Sequence, residues 1–133
     1  MNLSYLVETD WAVHYLRGRE DIVKRLNDLQ VDGLAISVIS VAELYRGVYL
    51  SNNPTLAEEK LNDFLARVEI LEIDSQTCQI YGREYSRLQK KGQLIDHFDL
   101  LIGATSLQYR LKLLTNNRRH FERLLGLKII SSN

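Results

Sequence analysis

Short apolar runs alternate along this chain with longer segments whose apolar residues recur every three or four positions. Leu3 to Val7 is a short apolar run suited to a buried strand, and Ile22, Leu26 and Leu29 then recur at helical spacing. Leu34 to Val38 is strand-like again and leads into Ser40, which reads as the N-cap of a helix reaching about Leu50. Leu61, Phe64, Leu65 and Val68 mark an amphipathic helix that starts near Thr55, after a turn at Ser51-Asn52-Asn53-Pro54. Val68 to Ile73 predicts a strand. Asp74-Ser75 caps the next helix, which carries Tyr81, Tyr85 and Leu88 and ends at Gly92. From Asp99 to Leu111 the residues are apolar nearly all round, the mark of a central buried helix. Lys112 to Thr115 and Leu127 to Ile130 close the pattern as strands, with a helical turn around Phe121 to Leu125 between them.

Short apolar strands alternating with helices predict an α/β domain with a mainly parallel sheet of four to five strands. The chain has 133 residues, 45% of them apolar, and no Pro/Ser/Gly-rich linker, so residues 1–133 read as one domain around one sizeable core. In parallel sheets the functional crevice lies at the carboxyl ends of the strands. The residues just after the strands are therefore the ones to follow: Glu8-Thr9-Asp10, Ser40 to Glu43, and Asn116-Asn117.

Composition narrows the function classes. Cys78 is alone, which rules out an intramolecular disulfide and a cysteine-based metal site. No basic segment followed by an apolar run opens the chain, and no stretch approaches the roughly 18 apolar residues of a membrane span. The cytoplasm is the expected compartment, with no membrane partner. Lys plus Arg equals Asp plus Glu, 17 each, so any contact with nucleic acid must come from a local basic patch rather than the net field. GxGxxG, GxxxxGK[ST] and GxSxG are absent, which argues against nucleotide-binding and Ser-His-Asp chemistry. A receiver-like phosphoacceptor would need an Asp at a central strand end, and Ile73-Asp74 is a poor fit.

The acids suggest a different chemistry. Phosphodiester hydrolysis can be run by divalent cations that activate water and neutralise developing charge, and Mg²⁺ and Mn²⁺ take oxygen ligands. Glu8, Glu43, Asp96 and Asp99 are the candidate ligands, supported by Asp10, Thr115 and Asn117. Each also has a capping explanation. Ser40-Val41-Ala42-Glu43 fits a capping box, Asp96 an N-cap with Asp99 in the first turn, Asp10 the cap of a helix starting at Trp11, and Asn117 an Asx-turn. What the caps leave unexplained is that these acids all fall where a parallel sheet brings its strand ends together. Arg17, Arg19, Arg46, Arg118 and Arg119 lie near the same segments and are candidate RNA contacts. Trp11 and Tyr45 read as core residues that would otherwise stack bases, and His14, His97 and His120 as structural.

Four segments also resemble the motifs of the PIN-domain family in its VapC toxins. They are Tyr5-Leu6-Val7-Glu8-Thr9-Asp10 with Tyr15-Leu16-Arg17-Gly18, then Ser37 to Leu44, Ile95 to Thr105, and Leu113 to Phe121, in the family's order and spacing. The resemblance implies a three-layer α/β/α fold and a ribonuclease toxin using Mg²⁺ or Mn²⁺. It also implies a homodimer and a VapB-type antitoxin whose tail occupies the acidic groove. It gives metal-binding roles to Glu43 and Asp99, with Asp96 as a nearby acid, Asn117 at the fourth acidic or amide position, and Thr115 as its companion. One departure stands out: the family's first motif normally has Asp where this chain has Glu8. The extra methylene moves the carboxylate outward, and Mg²⁺ geometry is strict. The alternative reading is therefore a catalytically impaired PIN domain that binds antitoxin or RNA without cleaving.

Overall fold

A computed structural model describes residues 2–132. Its elements run β1 (Tyr5–Val7), α1 (Thr9–Leu16), α2 (Glu20–Leu29), β2 (Leu34–Ser37), α3 (Val38–Leu50), α4 (Pro54–Leu65) and β3 (Glu69–Leu71). After these come α5 (Ser75–Lys90), α6 (His97–Tyr109), β4 (Lys112–Leu114), α7 (Arg118–Phe121) and β5 (Ile129–Ile130). All four strand pairings are parallel, in the order β3-β2-β1-β4-β5. The chain therefore winds outward from β1 to β3 on one side, then returns to place β4 and β5 on the other.

The inner strands β1, β2 and β4 are largely buried, whereas the edge strands β3 and β5 are partly exposed. Side chains alternate between faces: Val7, Leu34, Ile36 and Leu114 enter one core, against α1 to α4, and Leu6, Ala35, Leu71 and Leu113 enter the other, against α5 to α7. The result is a three-layer α/β/α sandwich with two cores, one on each face of the five-stranded sheet. Helix α6, apolar nearly all round in sequence, has Leu100, Ile102, Gly103, Ala104, Thr105 and Ser106 buried. At Gly103 a Cβ would collide with the Leu124 side chain, so this helix needs glycine to seat the segment after α7.

Several boundaries differ from the sequence reading. Ser37, not Ser40, caps α3, its hydroxyl accepting from the Ile39 amide at 3.1 Å, because β2 turns directly into the helix. Glu8, not Asp10, caps α1, so that helix starts at Thr9 rather than Trp11. Helix α6 begins at His97 and stops at Tyr109, where Arg110 takes the left-handed conformation at φ 56°. The helical turn before β5 spans Arg118–Phe121, upstream of the expected Phe121 to Leu125. Asp74 does cap α5, in a reciprocal capping box with Thr77. It follows an edge strand, not a central one, which removes the receiver-like reading.

Candidate functional site: an acidic edge at the sheet's switch point

Parallel register puts the ends of β1, β2 and β4 on one edge. Val7 pairs with Leu114 and Leu6 with Ala35, and the Glu8 amide extends the ladder by donating to the Leu114 carbonyl at 3.1 Å. Glu8 and Thr115 consequently leave adjacent strands side by side. This is where strand order reverses, the position at which open α/β sheets form their crevice.

Glu8 is only 5% exposed. Thr115, fully buried, donates its hydroxyl to Glu8 Oε1 at 2.7 Å, and the Asp10 amide donates to Oε2 at 3.3 Å. Burial, then the charge of Asp10, push the Glu8 carboxyl up to about 8, against the lowering pull of the Thr115 bond. Asp10 is not a cap. Its Oδ2 accepts from the Asn116 amide at 2.9 Å, joining the start of α1 to the loop after β4. Asn116 Oδ1 in turn accepts from the Trp11 indole at 3.0 Å, which seals Trp11 inside the core and excludes base stacking.

Glu43 enters from the second turn of α3. Ser40 and Glu43 do not form a capping box; both face α1, where Thr9 Oγ1 lies 2.6 Å from Glu43 Oε1 and 2.8 Å from Ser40 Oγ. The far oxygen, Oε2, lies 3.9 Å from Arg46, a loose pair with a mostly exposed guanidinium, and among the described residues it has no hydrogen bond. Asp99 comes from the first turn of α6 and is held above the usual carboxylate range, chiefly by burial, with Asp96 and Glu43 adding to the effect and His120 opposing it. Asp96 is exposed and committed as the N-cap, accepting from the Phe98 and Asp99 amides at 3.0 and 3.4 Å.

His120 is the residue sequence reasoning missed. Its spacing in the sequence points to a structural role, yet its Nδ1 lies 3.3 Å from Asp99 Oδ2 and 3.2 Å from Asn117 Nδ2. The signal was present: three residues after Asn117, at the start of a helix, His120 falls on the same face. Asn117 also donates its backbone N–H to Thr115 Oγ1 at 3.0 Å. Of the arginines, Arg17, Arg46 and Arg119 are exposed, Arg19 pairs with Asp21, and Arg118 is tied to the Ile129 carbonyl and Ser131 hydroxyl. Tyr45 is partly buried, packs against the core and stacks on Tyr49.

The donor set of Glu8, Glu43 and Asp99 is all hard oxygen, the chemistry Mg²⁺ and Mn²⁺ accept. Among the described residues, however, no three acidic, histidine or cysteine side chains close around a common point. Each carboxylate is turned to a hydroxyl, amide or imidazole neighbour, the arrangement expected of like charges that repel and find separate partners.

An α/β/α domain with carboxylates gathered at the switch point of a parallel sheet is the class of protein this structure defines. The chain matches the PIN domain model over residues 5–126 and belongs to that family, in its VapC type. It is similar to ribonuclease VapC1 of Methanocaldococcus jannaschii, 37% identical over 126 residues that span 93% of this chain and 85% of that one. Ribonuclease VapC2 of Haemophilus influenzae is 32% identical over 127 residues, 95% and 96% of the two chains. Among solved structures it resembles VapBC2 from Rickettsia felis bound to a DNA fragment from their promoter. That match has a TM-score of 0.91 at 30% identity and covers 97% of this chain and 98% of the other.

Proposed function

We propose that this chain is a ribonuclease toxin of the VapC type that hydrolyses RNA phosphodiesters with Mg²⁺ or Mn²⁺ at the acidic edge. The observation that carries the reading is the placement of Glu8 after β1, Glu43 on α3 and Asp99 at the start of α6 along one sheet edge, near enough that Asp99 bears on the Glu8 carboxyl and Glu43 on that of Asp99, in a chain whose relatives are named ribonucleases. A divalent ion bound there would supply an activated water and neutralise charge on the phosphate. The three carboxylates would hold it. Thr115 keeps Glu8 in place, Asn117 and His120 present polar groups beside Asp99, and the exposed Arg17, Arg46 and Arg119 would meet the RNA backbone.

A groove of about 390 Å³ runs from Glu43 between α1, α3 and α4, floored by Val13, Leu16, Leu44 and Val48 and rimmed by Arg17 and Lys60. It supports the antitoxin part of the reading: an apolar segment laid there would bring its end to the acidic edge. The VapBC assemblies among the similar structures favour such a partner. The homodimer implied by the family resemblance belongs to the same proposal and is checked by sedimentation of the free chain.

One observation favours a second reading, a PIN domain that binds without cleaving. Both oxygens of Glu8 already have partners, and among the described residues no three ligand side chains close around one point. The deciding experiment incubates the chain with structured and single-stranded RNAs in Mn²⁺, beside EDTA, Asp99→Asn and Glu8→Asp. Cleavage abolished by EDTA and by Asp99→Asn is the expected result. Cleavage seen only after Glu8→Asp would establish the impaired scaffold instead.

A further inference from the structure

We infer that Thr9 and Ser40 are positioning residues for Glu43: a one-way relay of two hydroxyls that holds Oε1 against α1 and leaves Oε2 as the presented oxygen. The inference rests on the catalytic reading of Glu43 for its effect on rate, but not for the relay itself.

The relay's direction follows from hydrogen counting. An ionised carboxylate only accepts, so the Thr9 hydroxyl must give its single proton to Glu43 Oε1, at 2.6 Å. The distance is that of a charge-assisted bond. Thr9 then has no proton left for Ser40, whose Oγ stands 2.8 Å from the same oxygen. Ser40 is fully buried, and a buried hydroxyl facing an acceptor at that distance donates to it. Ser40 therefore donates to Thr9, and Thr9 to Glu43. The carboxylate polarises both bonds in one sense.

Placement makes the relay specific to this fold. Thr9 is the first residue of α1, Ser40 and Glu43 lie one turn apart on α3, and α1 and α3 are brought together by the crossover from β1 to β2. A glutamate has three side-chain torsions and, left exposed, would sample many rotamers. The Thr9 bond, backed by a hydroxyl with no rotational freedom to spare, selects one. Among the described residues Oε2 has the loose Arg46 contact at 3.9 Å and no hydrogen bond. It is the oxygen available to a ligand at the edge.

The test uses the intact chain with Thr9→Val, Thr9→Ser and Ser40→Ala. Thr9→Val keeps the shape and removes the donor; Thr9→Ser keeps the donor. The direct readout is the Glu43 side-chain carboxyl carbon resonance, assigned by its disappearance in Glu43→Gln and recorded without metal. It is expected to shift or broaden in Thr9→Val, to do so less in Ser40→Ala, and to return in Thr9→Ser. Mn²⁺ binding measured by calorimetry, and kcat for RNA cleavage, are expected to fall about 10- to 100-fold in Thr9→Val with KM little changed, as for other outer partners of metal ligands. A Glu43 resonance identical in native chain and Thr9→Val overturns the relay. Perturbation of that resonance in a chain that neither binds Mn²⁺ nor cleaves RNA would retain the relay and overturn the ribonuclease reading.

Discussion

Glu8 is the residue on which the chemistry of this edge turns. Its carboxyl is raised from an ordinary 4.5 to about 8 because burial disfavours its charge and Asp10 stands beside it. A carboxyl that binds its proton more tightly when folded contributes stability that is fully present below pH 4.5 and is lost as pH rises through about 8. In EDTA, the native chain should therefore lose melting temperature across that window, and Glu8→Gln should lose less, overtaking it above pH 8. Parallel melting curves of the two proteins would refute the raised carboxyl. Thr115→Val is a second test at the same scale. It leaves Glu8 without its 2.7 Å donor, and removal of a buried partner costs about 1–3 kcal/mol, most of it expressed where Glu8 is charged. Denaturant unfolding at pH 9 against pH 6 reads the difference.

At the level of elements, the structure depends on helix starts that do two jobs. Asp96 caps α6 and also adds negative charge beside Asp99. Asp96→Asn keeps the cap and removes the charge, so it should preserve stability while lowering the Asp99 carboxyl towards its usual range. Asp96→Ala should cost about 1 kcal/mol of stability through the lost cap. Equal destabilisation by both would show that Asp96 acts here only through its charge. Gly103→Ala tests the packing of α6 instead. The added methyl meets Leu124, and overpacking a filled core costs about 1–3 kcal/mol. A stability unchanged in chemical denaturation would mean that Leu124 moves aside freely.

The whole molecule gathers its acids by topology. Glu8, Glu43 and Asp99 are separated by long stretches of chain, yet three crossovers of one sheet return them to a single edge. On the proposed function, the repulsion among them is relieved by a bound cation, so saturating Mn²⁺ should raise the melting temperature, by mass action. Because Glu8 must give up its proton to become a ligand, that stabilisation should grow as pH rises towards 8. A melting temperature indifferent to Mn²⁺ at pH 8 would count against the metal site. The separate partners of the carboxylates imply that ion binding draws the side chains inward, a rearrangement visible as shifts of the Asp99 and Glu43 resonances.

The order of strands and helices, the parallel sheet and the buried character of α6 were legible in the sequence, as was the placement of Glu8, Glu43 and Asp99 along one edge. Each is written locally, in apolar periodicity or in the spacing of four motifs. Cap positions were less legible. Ser37 and Ser40 are both good caps three residues apart, and which one caps α3 depends on where β2 stops pairing with β1 and β3. His120 was missed because its partner, Asp99, lies on another helix. Thr9 could not be connected to Glu43 for the same reason, since their 2.6 Å bond crosses from α1 to α3. The sequence by itself determined which elements form and which acids fall at strand ends and early in helices, because periodicity and propensity act over a few residues. Only the tertiary structure decided which oxygens those acids turn toward and how strongly they are protonated. Those properties depend on burial and on neighbours that the fold brings in from far along the chain.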